Sequence, residues 1–367
     1  MRVTANQVTT ARLLAMPLVG WLVYGGPMTQ AIGVAIGTLI GLTDTVDGYL
    51  ARKHGPTVLG SILDPVADKI FIVVCYACFA DRGGIPWWIA AAIFSRELLV
   101  TVLRSSLELG GRRLPSTGIA KVKTWVQMIA FGFLVLIPII GSGRGLQILF
   151  AAPLALAAIV LLSRKATGIT RRGFQIGAAV LVPFLAMSFV GAAATERLLI
   201  GAVVFITWFS GLDYLKQGFP AVARAASHRS LHWLRLAAGA FLPVVAMAAL
   251  AKPGLPTIPL VVLLSSDMAR GALDNFAANQ GVADFSWAAS LWAELILLGV
   301  ALVAPAAGSQ LCLVAALVAV AETARALIRY LRAPAARPRP PSERFLPTLE
   351  GADPQLERQA PEPVIER

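Results

Sequence analysis

Four carboxylates fall within one stretch of 26 residues, DTVDGYLARKHGPTVLGSILDPVADK, which runs from Asp44 to Lys69 between long apolar segments. An aspartate at bilayer depth is costly and is kept where it has work to do. Asp44 and Asp47 are three residues apart and Asp64 and Asp68 four apart, so each pair lies on one face of a helix. Gly and Pro punctuate helices, and His54-Gly55-Pro56 makes a tight turn between the pairs. The turn folds the two helices antiparallel and lets all four carboxylates converge. Clustered carboxylates do not all stay ionised without cations between them. An all-oxygen donor set suits hard ions such as Mg2+ or Mn2+. Such ions can clamp the reacting oxygens of a phosphoryl-type transfer. The bland alternative pairs these helix-end carboxylates with Arg52, Lys53 and Lys69, but it leaves the two facing pairs and their neighbouring glycines unexplained. Gly48 and Gly60 lack side chains where the helices must approach each other and a ligand, although ordinary small-residue packing explains each glycine taken singly. Arg52 is placed to grip a diphosphate through two guanidinium N–H groups, with a side chain that merely snorkels to the interface as the alternative.

The elements that must hold these residues are membrane helices. The chain has 367 residues, of which 57% are hydrophobic and 14% charged, against about 25% charged in soluble domains. Apolar stretches near the ~20 residues that span a bilayer recur along most of it. The fold class is therefore an all-α, polytopic transmembrane bundle, and a large soluble core is excluded. Met1 to Leu14 is polar and Thr-rich and carries no cleavable leader pattern. An amphipathic segment over 3–10 leads into a first span that ends near Tyr24. Further spans are expected at 31–50, 58–80, 86–107, 119–140, 144–162, 174–190 and 197–215. Apolar runs follow at 236–251, 287–304 and 309–329. The run at 257–266 is short and interrupted by Pro256 and Pro259, and reads as a half-helix. The tail from Ala333 holds eight prolines and many charges and is expected to be disordered.

The net charge of +12 sits in short loops, as the positive-inside pattern requires. Arg52-Lys53, Arg112-Arg113 with Lys121 and Lys123, Arg164-Lys165 with Arg171-Arg172, and the stretch from Lys216 to Arg235 are expected on the cytoplasmic side. Gly25-Gly26 and Asp81 to Gly84 are expected outside. No basic stripe with interleaved aromatics appears, so nucleic acid is not an expected partner. Cys75 and Cys78 lie in an apolar helix and read, with Cys312, as packing residues. Arg96 and Arg104 are embedded in an apolar span, where a charge points to function. With Lys121 and Lys123 within reach, they could hold an anionic acceptor such as a glycerol phosphate, with Glu97 pairing with one of the cations. Arg112 and Arg113 read as topogenic.

The pattern Asp44-x2-Asp47-Gly48-x2-Ala51-Arg52-x7-Gly60-x3-Asp64-x3-Asp68 resembles the long signature of the CDP-alcohol phosphatidyltransferase family, with seven residues between Arg52 and Gly60 where eight are usual. The resemblance implies a six-helix core whose site opens to the cytoplasmic interface. It implies that Asp44, Asp47 and Asp64 bind two metal ions, and that Asp68 ligates a metal and acts as base toward the acceptor hydroxyl. It implies that Gly48, Arg52 and Thr57 contact the CDP moiety. Four segments resemble the branch of that family whose acceptor is glycerol 3-phosphate: Asn6-x2-Thr9-x2-Arg12-x4-Pro17, Asp64-Pro65-Val66-Ala67-Asp68-Lys69, Ser95-Arg96-Glu97 with Leu103-Arg104, and Gly118 to Gln127. The likeness covers 3–140 and resumes at 197–217, around Thr207 to Ser210 and Asp213-Tyr214-Leu215.

The expected organisation is a core over 1–217 with a two-helix insertion at 141–196, additional transmembrane helices over 218–332, and a cytoplasmic tail over 333–367. The expected partners are CDP-diacylglycerol, glycerol 3-phosphate and the lipid bilayer, with a homodimer admitted as the assembly. Relatives with other acceptors, or a scaffold that kept the fold without the chemistry, are the competing readings. Every motif residue precedes Gln127 or lies in the helix ending near Tyr214, so 218–367 is expected to be dispensable for the chemistry. Replacing Asp44, Asp47 or Asp64 by Asn should abolish CMP release while the protein still inserts. Normal turnover in EDTA would contradict the metal-cluster reading.

Overall fold

The computed structural model describes residues 5–54, 58–109, 118–162, 171–223, 229–279 and 286–332. Among these residues the chain forms twelve α-helices: α1 Ala5–Leu22, α2 Pro27–His54, α3 Val58–Asp81, α4 Trp87–Leu109, α5 Gly118–Ile140, α6 Arg144–Leu162, α7 Arg171–Met187, α8 Ala192–Ala223, α9 Arg229–Leu250, α10 Thr257–Asn279, α11 Ser286–Val303 and α12 Pro305–Arg332. The protein is thus an all-α, polytopic membrane protein. Four stretches are apolar and long enough to cross a membrane on length and composition: Val122–Ile140, Ala192–Leu212, Ser230–Leu250 and Ala306–Tyr330.

Local chemistry sets the boundaries. Pro27 opens α2 and Pro305 opens α12, at the first helical position, where a missing N–H costs nothing. Gly141, at φ 78°, ends α5, and its N–H donates to the Ile137 carbonyl at 2.9 Å, a left-handed C-terminal stop that glycine adopts without strain.

The loops sort the helices into two ends. Tyr24 donates its hydroxyl hydrogen to Asp81 Oδ2 at 2.6 Å and Thr257 donates to the same oxygen at 3.0 Å. The α1–α2 loop, the end of α3 and the start of α10 therefore share one end of the bundle, the Asp81 end. The opposite end holds Asp64.

Helices α1 to α5 and α8 pack together, and the buried apolar core that they share continues into α9 to α12. α1 packs on α2 and α3, α2 on α5, and α8 on both α4 and α5, while α6 and α7 form a hairpin beside α5. The 197–215 span thus runs on as part of the core after the α6–α7 hairpin. Tyr76, Phe94, Leu98, Leu103, Leu134 and Ile137 are fully buried between these helices.

The later helices pack directly on the core: α9 against α4, and α10 against both α3 and α4, with α11 and α12 behind them. The sequence suggested a half-helix at 257–266. The structure has instead a continuous helix, α10, through Asn279. The charges that interrupt its hydropathy are met by neighbouring helices. Arg235 on α9 is wholly buried; it donates to Ser105 Oγ on α4 at 2.8 Å and pairs with Asp274 on α10. Arg270 donates to Ser290 Oγ at 2.7 Å and faces Asp267 and Glu294 at 3.8 and 3.9 Å. Both guanidiniums lie over the Trp287 ring, at 5.1 and 5.3 Å, a cation–π arrangement. A buried charge is tolerated when it is paired and hydrogen-bonded, so pairing between helices lets α10 continue through its charged segment.

Removing one partner of a buried ion pair strands the other and costs about 3 kcal/mol or more. Asp274→Ala should therefore lower the thermal unfolding midpoint in detergent clearly, and the paired replacement of Arg235→Met with Asp274→Leu should recover most of the loss. An unchanged midpoint for Asp274→Ala would show that the pair does not hold α9 to α10.

Candidate active site

Asp64 and Asp68 stand one turn apart on α3, both partly exposed, and α1 meets them. Thr9 donates its hydroxyl hydrogen to Asp64 Oδ1 at 2.9 Å. Arg12 Nη2 lies 3.4 Å from Asp68 Oδ1 and 3.5 Å from the Asp64 carbonyl oxygen. The Arg12 side chain is 3% exposed and that of Asp68 41%, so the guanidinium is fixed in the interior while the carboxylate still faces open space. Thr9 and Arg12 are three residues apart, on one face of α1. The N-terminal pattern Asn6-x2-Thr9-x2-Arg12 thus orients the α3 carboxylates, a role that reading α1 by itself could not assign.

Asp44, Asp47, Gly48 and Arg52 lie on α2, Gly60 on α3 and Lys121 on α5. Their side chains fall outside those described, as does all of Thr57 and the Gly55-Pro56 part of the turn. The ends of α2 and α3 are joined by three residues and so lie within about 14 Å of each other, at the Asp64 end.

Glu97 on α4 gathers three cations. It pairs with Lys123 from α5, lies 3.2 Å from Arg96 Nη1 and 3.9 Å from Lys69 Nζ. One carboxylate offsets one of the three. Lys69 also donates to Thr101 Oγ1 at 2.6 Å, and Arg96 donates to Ser210 Oγ on α8 at 2.9 Å. Gln127 donates to Thr207 Oγ1, also on α8, at 3.0 Å. The sequence expectation of one cation partner for Glu97 is therefore exceeded, and Lys69 was missed as a member of the cluster. Arg104, on the same helix, meets Tyr214: its Nη2 donates to the Tyr214 hydroxyl at 3.0 Å and its guanidinium carbon sits 5.3 Å from that ring's centroid.

Two cavities adjoin this cluster. A small one, of about 40 Å3, is lined by Asp68, Lys69, Glu97, Lys123, Thr124 and Gln127, with apolar walls that include Phe94 and Met268. That is room for a few water-sized groups. A larger one, of about 200 Å3, runs between α2 and α5. Gly33, Gly37, Gly41 and Gly132 leave it space, and Leu42, Phe71, Trp125, Met128 and Phe131 make it apolar. Asp68 and Thr124 line both cavities. A small chamber beside the cation cluster and a larger groove thus meet at one carboxylate. This arrangement can bring a small anion and a lipid-borne group to the same point, where a carboxylate can accept a proton.

The family model for CDP-alcohol phosphatidyltransferase matches residues 2–169. Over 164 residues the chain is 38% identical to a protein of Mycobacterium tuberculosis (strain CDC 1551 / Oshkosh) named "Probable phosphatidylglycerophosphate synthase", covering 43% of this chain and 75% of that protein. It is 33% identical over 145 residues to the CDP-diacylglycerol–glycerol-3-phosphate 3-phosphatidyltransferase of Bacillus subtilis (strain 168), covering 36% of this chain and 75% of that protein. It is 31% identical over 137 residues to a cardiolipin synthase (CMP-forming) of Streptomyces coelicolor, covering 36% of this chain and 64% of that protein. No solved structure matches the chain.

The contact between α1 and α3 can be tested by itself. Thr9→Val removes one hydrogen bond to an ionised group, worth about 1.5 kcal/mol, and should lower kcat/KM roughly tenfold, with Thr9→Ser restoring most of it. Equal activity of the Val and Ser variants would show that the hydroxyl does not orient Asp64.

Proposed function

Because this chain belongs to the CDP-alcohol phosphatidyltransferase family, we propose that it transfers a phosphatidyl group from CDP-diacylglycerol to glycerol 3-phosphate, giving phosphatidylglycerophosphate and CMP. The class of enzyme follows from the family; the acceptor, the metal and the orientation are the proposed part. The observation that carries the reading is the meeting of the two cavities at Asp68. The α2–α5 groove suits acyl chains, since its wall is apolar and its glycines leave room against the helix backbone. The chamber beside Lys69, Arg96 and Lys123 suits the phosphate of a small acceptor, since Glu97 leaves cationic charge available to an anion.

In this reading the primary hydroxyl of glycerol 3-phosphate gives its proton to Asp68, and its oxygen attacks the lipid-side phosphorus of the diphosphate. The bond from that phosphorus to the bridging oxygen breaks, and CMP leaves with the oxygen. Arg12 and Thr9 hold the α3 carboxylates in place during this step. Asp44, Asp47, Asp64 and Asp68 would hold Mg2+ or Mn2+, two ions in all. Asp64 and Asp68 fit such a role, because each is a partly exposed oxygen donor on α3 and Asp64 Oδ1 accepts from the neutral hydroxyl of Thr9. Bound there, the ions would neutralise charge on the diphosphate and the transferring group. The positive-inside pattern of the sequence supports a site that faces the cytoplasm at a bacterial inner membrane.

The likeness to a cardiolipin synthase raises phosphatidylglycerol as a second acceptor. The cations gathered at Glu97 support an acceptor that carries a free phosphate group. Lys123→Ala should raise the KM for glycerol 3-phosphate about tenfold, the loss of one charge-assisted contact, and move that for CDP-diacylglycerol less than twofold. Metal-dependent CMP release driven by phosphatidylglycerol or inositol phosphate, with glycerol 3-phosphate inert, would overturn the acceptor assignment.

A further inference from the structure

The chamber beside Asp68 has a wall that lies outside the residues matched by the family model. Met268 of α10 lines it together with Asp68, Glu97 and Lys123 and is 1% exposed. The rest of the same helix face is seated on the core. Val66 of α3 packs with Ala269 and Leu273, so α10 lies along the helix that carries Asp64 and Asp68. Gly271 lies against Thr101 of α4: a Cβ there would come within 2.8 Å of Thr101 Cγ2 and 3.2 Å of the Trp287 ring. Thr101 is the residue that accepts from Lys69. The close approach at Gly271 therefore bears on a contact of the cation cluster itself.

The opposite face of α10 is fixed from behind. Asp267, Arg270 and Asp274 flank Met268 and point into the buried charge cluster with Arg235, Ser290 and Glu294 of α9 and α11. Ordinary packing would have called for an apolar face there. Charged anchors on both sides of Met268 make the position of α10 hard to shift, because sliding the helix would break several buried pairs at once.

From this geometry we infer that α10 forms a wall of the acceptor chamber and that Met268 is a specificity-determining residue, selecting the size of the alcohol that reaches Asp68. The inference rests on the reading of this chamber as the acceptor site. The segment that the sequence presents as dispensable then contributes directly to acceptor choice, while the groove for the lipid donor, on the α2–α5 side, does not touch it. The thioether fills the apolar part of the chamber and leaves the cations to the anion. A shorter side chain widens the chamber and loosens the grip on a three-carbon acceptor.

The test uses the full chain in detergent or vesicles. Met268→Ala should raise the KM for glycerol 3-phosphate about tenfold, the scale set by missing apolar contact in a binding pocket. It should narrow the preference over a bulkier polyol phosphate and leave the KM for CDP-diacylglycerol within twofold. Met268→Gln, of similar length but polar, should likewise shift the acceptor KM alone, and it stands in if the Ala variant fails to fold. Ile258→Ala, on the same helix but 77% exposed, should change neither. A folded Met268 variant that leaves the acceptor KM unmoved, or shifts both KM values equally, overturns the inference. If the wild-type enzyme uses another alcohol, the assignment of glycerol 3-phosphate falls. The same split, read with that alcohol, then decides the role of Met268.

Discussion

A carboxylate carried into an apolar helical bundle costs several kcal/mol unless a cation or hydrogen-bond donor meets it. Three places in this protein are arranged around that constraint. On α3, Asp64 and Asp68 are met by Thr9 and Arg12 from α1. On α4, Glu97 is met by Lys69, Arg96 and Lys123. In the later helices, Asp274 is met by Arg235, with Asp267 and Glu294 facing Arg270. Each solution bridges different helices through side chains. The contacts that make the charges tolerable therefore also tie α1 to α3, α5 to α4, and α9 and α11 to α10.

The chemistry depends on the balance at each of these places. Glu97 shares three cations, and the surplus is what an anionic acceptor can use. Asp68 keeps one side on Arg12 and the other open to both cavities. The groove and the chamber need no channel between them, because they share Asp68 and Thr124. A lipid whose reactive diphosphate sits at the bilayer edge and an acceptor from water can then react without either crossing into the other's environment.

Much of this was legible in the residues. The carboxylate spacing, the family signature and most helix spans follow from local pattern, since a helix face and an apolar run are set by near neighbours in sequence. The continuity of α10 was not legible. Asp267, Arg270 and Asp274 lower the hydropathy of that stretch, and their partners, Arg235 and Glu294, lie tens of residues away. Glu97 was visible as a partner for one cation, but its three-way pairing depends on how α3, α4 and α5 come together. Arg104 reads as part of the acceptor site because it shares an apolar span with Arg96, but its contact with Tyr214 of α8 depends on the fold. Thr9 and Arg12 carried a family resemblance whose physical meaning appeared only once α1 lay against α3. Met268, an apolar residue in a helix with no recognisable motif, gave no signal at all.

In the proposed reaction, donor and acceptor approach Asp68 from different sides, the lipid through the α2–α5 groove. A CDP-diacylglycerol carrying a photoreactive diazirine on one acyl chain tests it most directly, by mapping the labelled residues on the intact protein. Labels should fall on α2 between Gly33 and Leu42 and on α5 between Thr124 and Gly132, competed by unlabelled CDP-diacylglycerol and untouched by glycerol 3-phosphate. Competed labels concentrated instead on α10 to α12 would contradict it.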